Sequence, residues 1–131
     1  MREILFRGKR TDSGEWVDGN LFVDEKNEKH EIIVGYVNYR IAWEVVPETV
    51  GQYTGGTDKN DRKIFEGDIV RVHDYLAKRG DPWHEFEGVV GHQNASFVII
   101  SDVVKHYRWI DYECEIIGNI HDNPELLEDK P

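Results

Sequence analysis

Cysteine is almost absent from this 131-residue chain: the single thiol, Cys114, rules out an intramolecular disulfide and any cysteine-based zinc cluster within one chain. A reducing compartment, the cytoplasm, is the expectation. Long apolar runs are missing too. None approaches the eighteen or so residues of a membrane helix, and the opening Met1-Arg2-Glu3-Ile4-Leu5-Phe6-Arg7-Gly8 lacks the apolar core of a signal peptide. Positive charge is in short supply, with 16 Lys and Arg against 26 Asp and Glu for a net charge of −10. The deficit is uneven. Residues 1–65 carry ten basic and twelve acidic residues, whereas residues 66–131 carry six and fourteen. Phosphate contacts draw their free energy from charge neutralisation, so nucleic acid is an unfavourable partner despite the basic Arg2, Arg7, Lys9 and Arg10 near the start.

Catalytic signatures are equally scarce. There is no Gly-x-Ser-x-Gly elbow, no phosphate-cradling glycine loop and no His-Glu-x-x-His. The six histidines, His30, His73, His84, His92, His106 and His121, are scattered. His73-Asp74 is the nearest approach to a ligand pair, but neighbours on a strand point to opposite faces. No metal, cofactor or catalytic residue is assigned. A fold that brought at least two of His73, His84, His106 and His121 within ligand reach of a carboxylate would support a metal-dependent phosphoesterase, and an acidic surface that mimics DNA and inhibits another protein is a further alternative. Cys114 lies in a strand-like run and reads as a small hydrophobe.

What the chain does have is aromatic and β-branched residues in short runs, with four Trp, six Tyr and five Phe, punctuated by Gly, Asp and Asn. That pattern predicts a mainly β, antiparallel fold with strands over 2–7, 16–23, 31–37, 41–46, 69–73, 88–91, 97–100, 107–111 and 115–120. Asp12-Ser13-Gly14 and Asp58-Lys59-Asn60-Asp61 read as hairpin tips, and Gly118-Asn119 as a bulge or tight corner. Asn123-Pro124-Glu125-Leu126-Leu127 reads as one short helical turn. In Lys63 to Val70 an apolar pair meets a Glu66-Gly67-Asp68 turn that opens a strand, where glycine permits the bend and aspartate bonds nearby amides. Residues 74–87 read as an exposed loop. Tyr53, Tyr75, Trp83 and Phe86 fall in or beside predicted loops and form the candidate binding surface.

Three blocks, taken in order, resemble the YopX family of small phage and prophage proteins. They are Phe6-Arg7-Gly8-Lys9 with Gly14-Glu15-Trp16-Val17 and Gly19; Pro47 to Gly55 with Asp58-Lys59-Asn60 and Lys63 to Val70; and Glu115 to Ile120 running into Asn123-Pro124-Glu125-Leu126-Leu127. The motif positions are Gly51, Tyr53, Gly55, Asp58, Phe65, Gly67, Asp68, Gly118 and Asn119. Gly56 departs from the family, which more often has an apolar residue there. The resemblance implies a strand group over about residues 1–54, an SH3-like barrel over about 55–122 and a turn and tail over 123–131. It also implies self-association into a homo-oligomer and leaves the biochemical role undefined; with no catalytic motif in the chain, the expectation is a non-enzymatic module that binds a host or phage protein or itself in the cytoplasm of a bacterial host cell.

Overall fold

The computed structural model describes residues 3–73, 78, 80, 84–101 and 113–127, and divides the chain into two compact units, Met1–Gly55 and Gly56–Pro131. Every named ladder with a defined register is antiparallel.

In the first unit, β1 (Phe6–Lys9), β2 (Trp16–Asp24), β3 (Lys29–Gly35), β4 (Arg40–Val45) and β5 (Gly51–Thr57) lie in the order β4-β3-β2-β1-β5. Strand β5 crosses the boundary between the units, and β6 (Lys63–Phe65) follows it in hydrogen-bonding order. The β1–β2 connection is the expected Asp12-Ser13-Gly14 tip: Gly14 has φ 73°, Arg10 N–H donates to Glu15 O and Gly14 N–H to Arg10 O. Past β1 the chain returns to β4, where Arg10 bridges Val45 and Thr11 N–H donates to Glu44 O. Ile32 and Val45 are the most deeply buried apolar side chains of this unit. Gly8 makes room for one of them, since a Cβ there would lie 2.9 Å from Val45 Cβ. A 3₁₀ turn over Pro47–Thr49 is pinned to β1 by Thr49, whose Oγ1 accepts from Lys9 N–H at 2.9 Å and donates to Val46 O at 2.6 Å.

In the second unit, β7 (Asp68–His73), β8 (Glu85–Gln93), β9 (Ser96–Ile100) and β10 (Glu113–Asn119) lie in the order β10-β7-β8-β9. One face carries a continuous apolar cluster of Ile64, Val70, Val72, Phe86, Val90 and Ile99, joined by Cys114 and flanked by Ile116. Asn94 and Ala95 turn β8 into β9 with φ of 52° and 61°, placing both central residues in the left-handed region that matches the twist of the flanking strands. The register of β10 on β7 shifts between Ile116 and Gly118, which is the expected bulge. The chain ends its described course in a 3₁₀ turn over Pro124–Leu127, the expected helical turn.

Three expectations need adjustment. The sheets are open among the described residues, so these strands alone do not form a closed barrel, and the expected strand over 107–111 lies outside the described residues. Strand β5 was not expected; its pairing with β1 supplies what the low strand propensity of Gly51, Gly55 and Gly56 does not. Strand β8 begins at Glu85, inside the expected loop over 74–87, since Glu85, Phe86 and Glu87 already alternate out, in and out.

Candidate functional site

The second unit contains the densest polar construction, at the turn joining β5 to β6. Asp58 is only 4% exposed, and its carboxylate accepts from Asn60 N–H at 2.9 Å, Arg62 N–H at 3.0 Å and Ile116 N–H at 3.0 Å. Arg62 closes the arrangement: Nη2 stands 3.1 Å from Asp58 Oδ2 and donates to Ile116 O at 2.7 Å. Burial works against the charged carboxylate, but the amides of Ile116, Arg62 and Asn60 and the Arg62 guanidinium outweigh it and hold the Asp58 carboxyl below its ordinary value. A charge anchored this way fixes a turn. It offers little to a ligand, because its acceptor positions are occupied.

The other motif residues follow the same logic. Asp68, 2% exposed, reaches back across Gly67 (φ 90°) and accepts from Phe65 N–H at 2.8 Å, tying the end of β6 to the start of β7. Phe65 is itself buried. Asn119 accepts from the amides of His121 and Asp122 through Oδ1, while its own N–H donates to Asn123 Oδ1 at 3.2 Å. Gly118 is required beside this pair, since a Cβ would come within 2.6 Å of Asn123 Oδ1. Gly51 pairs with Arg7 of β1, and Gly55 adopts φ 92° in β5.

The outer face of β10-β7-β8 is a shallow charged groove arranged in two cross-strand rows. Glu113, His73 and Glu85 form one, and Glu115, Arg71 and Glu87 the other. Arg71 Nη2 lies 3.0 Å from Glu87 Oε1, Lys59 Nζ 3.4 Å from Glu115 Oε2, and His73 Nδ1 3.8 Å from Glu85 Oε2. His84 approaches edge-on, its ring centroid 4.6 Å from that of His73. So two of the four singled-out histidines do meet beside a carboxylate. Nevertheless, no group of three or more His, Cys, Asp or Glu among the described residues is disposed to hold a metal ion. His121 stands in the turn after β10, and His106 lies outside the described residues. Cys114, on the inner side of β10, is buried, and that burial, with Asp58 and Glu113 nearby, pushes its thiol up to about 11. It is poorly suited to nucleophilic attack at neutral pH.

Of the four aromatics expected at a binding surface, Tyr75 and Trp83 lie outside the described residues. Tyr53 and Phe86 are 8% and 6% exposed, each within its own unit, because each occupies the inward phase of its strand. Neither presents its ring on an open surface. Exposed apolar residues are found elsewhere. At the β3–β4 tip Tyr36 and Tyr39 stack with centroids 4.8 Å apart, and Val37 between them is 99% exposed. The signal was available in Tyr36-Val37-Asn38-Tyr39, three apolar or aromatic residues in a tip where polar ones are usual. No helix among the described residues is long and apolar enough to cross a membrane.

No curated protein matches the chain. A crystal structure of protein EF1440 from Enterococcus faecalis is similar over 98% of this chain and 100% of its own, with 25% identity and a TM-score of 0.56. The family described as YopX protein matches residues 5–128, which takes in all the motif positions whose hydrogen bonds and close approaches are described above; the chain belongs to the YopX family.

Proposed function

We propose that the chain is a non-enzymatic accessory protein of a phage or prophage, working in the cytoplasm of the bacterial host by binding another protein or a second copy of itself. The observation that carries this reading is the β3–β4 tip. Its stacked tyrosines flank a valine almost wholly in water, and an isolated domain gains nothing from presenting such residues together. Membership of the YopX family is consistent with it, and the antiparallel sheet of the second unit, bulged at its β10 edge, suits the SH3-like character expected there. The test is the solution mass of the purified chain and of Val37→Asp, coupled to a pull-down from lysogenic cells with each. The expected result is a homo-oligomer or a host or phage protein complex that Val37→Asp weakens. A wild-type monomer whose captured partners are unchanged by Val37→Asp, or that captures nucleic acid alone, overturns the reading.

A second reading, a metal-dependent phosphoesterase, is favoured by one observation, the meeting of His73 and His84 beside Glu85. Elemental analysis of the purified protein separates the two. A stoichiometric divalent metal lost in His73→Ala would replace the first reading with the second.

A further inference from the structure

Strand β4 stands at the end of the first sheet, and only part of its outer edge is taken. Thr11 N–H donates to Glu44 O at 3.0 Å and Val46 N–H to Lys9 O at 2.9 Å, so the β1–β2 hairpin covers the edge from Glu44 onward. These bonds also fix which peptide groups face out. Alternate residues of a strand bond to opposite sides, and since Glu44 faces away from β3, Ala42 and Arg40 do too. Both are exposed, and no strand among the described residues pairs with this stretch on its outer side. An uncovered strand edge is a template for another strand. Immediately before it in the chain stands the apolar tip, Tyr36, Val37 and Tyr39, so the open edge and the exposed tip are contiguous.

We propose that this surface docks a second copy of the chain about a two-fold axis, the two β4 strands pairing antiparallel with Ile41 at the dyad. The register follows from what the hairpin leaves open. It sets Arg40 opposite Ala42 of the second copy, so the new main-chain bonds use the outward groups of these residues and none that Lys9 or Thr11 already holds. Arg40-Ile41-Ala42-Trp43-Glu44 is its own complement in this register. On one face Ile41 meets Ile41, and Tyr39 meets Trp43 of the second copy, whose ring already carries the Arg10 guanidinium 3.7 Å from its centroid, a cation for the incoming tyrosine. On the other face Arg40 lies one diagonal from Glu44 of the second copy, within reach of long side chains, and the two Glu44 carboxylates offset the two Arg40 charges that the dyad draws together. Ala42 is small enough to admit the Arg40 stem. The proposal rests on the binding reading above and names a second copy as what is bound.

The test is sedimentation of the full chain over a range of concentrations, with amide hydrogen exchange read at Ala42. The wild type is expected to pass from monomer to dimer as concentration rises, and exchange at Ala42 to slow by about tenfold or more as it does. Arg40→Glu or Glu44→Arg alone should weaken the dimer by about tenfold, and the two together should recover most of that loss, because the pairs between copies are remade with reversed sign. Ala42→Pro removes an outward amide without touching the β3 ladder and should abolish the dimer. If Ala42→Pro loses exchange protection at Ile32, the charge swap decides alone. A wild-type monomer at every concentration overturns the proposal. So does a dimer in which exchange at Ala42 is independent of concentration, or in which the double swap recovers nothing. A monomer that captures another protein through Val37 keeps the binding reading and overturns this one; a dimer untouched by Val37→Asp but undone by Ala42→Pro keeps the β4 pairing without the tip.

Discussion

The two units are built from the same kind of antiparallel ladder but are held by different means. In the first, deep burial is concentrated at Ile32 and Val45, and its 3₁₀ turn is pinned by one threonine hydroxyl. In the second, a contiguous apolar cluster of six aliphatic and aromatic side chains plus Cys114 is bordered by buried or half-buried polar anchors, Asp58, Asp68 and Asn119, each closing a specific turn. Burial without anchors leaves a fold tolerant of local change; anchors make single positions indispensable. That difference fits where the motif residues fall, with Asp58, Phe65, Gly67, Asp68, Gly118 and Asn119 in the second unit and Gly51, Tyr53 and Gly55 on β5 in the first, whereas the exposed apolar tip belongs to the first unit.

The largest effects test the apolar half of the comparison. Ile99→Ala in the second unit should cost about 3 to 4 kcal/mol and Ile32→Ala in the first about 2 to 3 kcal/mol, measured by denaturant unfolding with exchange protection read in each unit. A greater loss for Ile32→Ala breaks the comparison. Next comes the polar half. Asp58→Ala should cost about 3 kcal/mol, because it leaves three amides without their acceptor and unties the turn from Ile116. The pH dependence follows from the same carboxyl. Its pKa is depressed on folding, so its stabilisation is complete above the ordinary value of 3.8 and disappears as pH falls through the lower folded value. Asp58→Asn should flatten that part of the acid unfolding profile, and an unchanged profile would remove Asp58 from its role as anchor. Gly8→Ala should cost about 1 to 2 kcal/mol by driving a methyl against Val45, which would show that the first unit also has an intolerant position. Ala95→Gly should stabilise the second unit by about 1 kcal/mol, read as a raised midpoint, since φ 61° suits glycine better than alanine. The smallest effect belongs to the charged face: Arg71→Ala should change stability by about 0.5 kcal/mol or less, because the Arg71–Glu87 pair is solvated.

Much of the fold was readable because its signals were local. Runs such as Glu31-Ile32-Ile33-Val34 and Ser96-Phe97-Val98-Ile99-Ile100 announce strands by composition, and Asp12-Ser13-Gly14 announces its turn by chemistry. Strand β5 was hidden because its glycines lower its own strand preference, and only pairing with β1, forty-odd residues away in sequence, makes it a strand. The candidate site was less readable for the same reason. Asp58 could be seen to cap its own turn, but its bond to Ile116 joins positions 58 residues apart, which no local pattern reports. Tyr53 and Phe86 were read by their apparent loop positions, whereas burial is decided by the phase of the strand each occupies. The meeting of His73 and His84 likewise depends on the pairing of β7 with β8.

Cys114 gives the molecule a built-in clock. It is the chain's one thiol, it sits on the strand that the Asp58–Arg62 turn clasps, and its burial suppresses the thiolate. A thiol reagent in native buffer therefore registers the moments when β10 comes away. The labelling rate times that opening without a tag or an added probe.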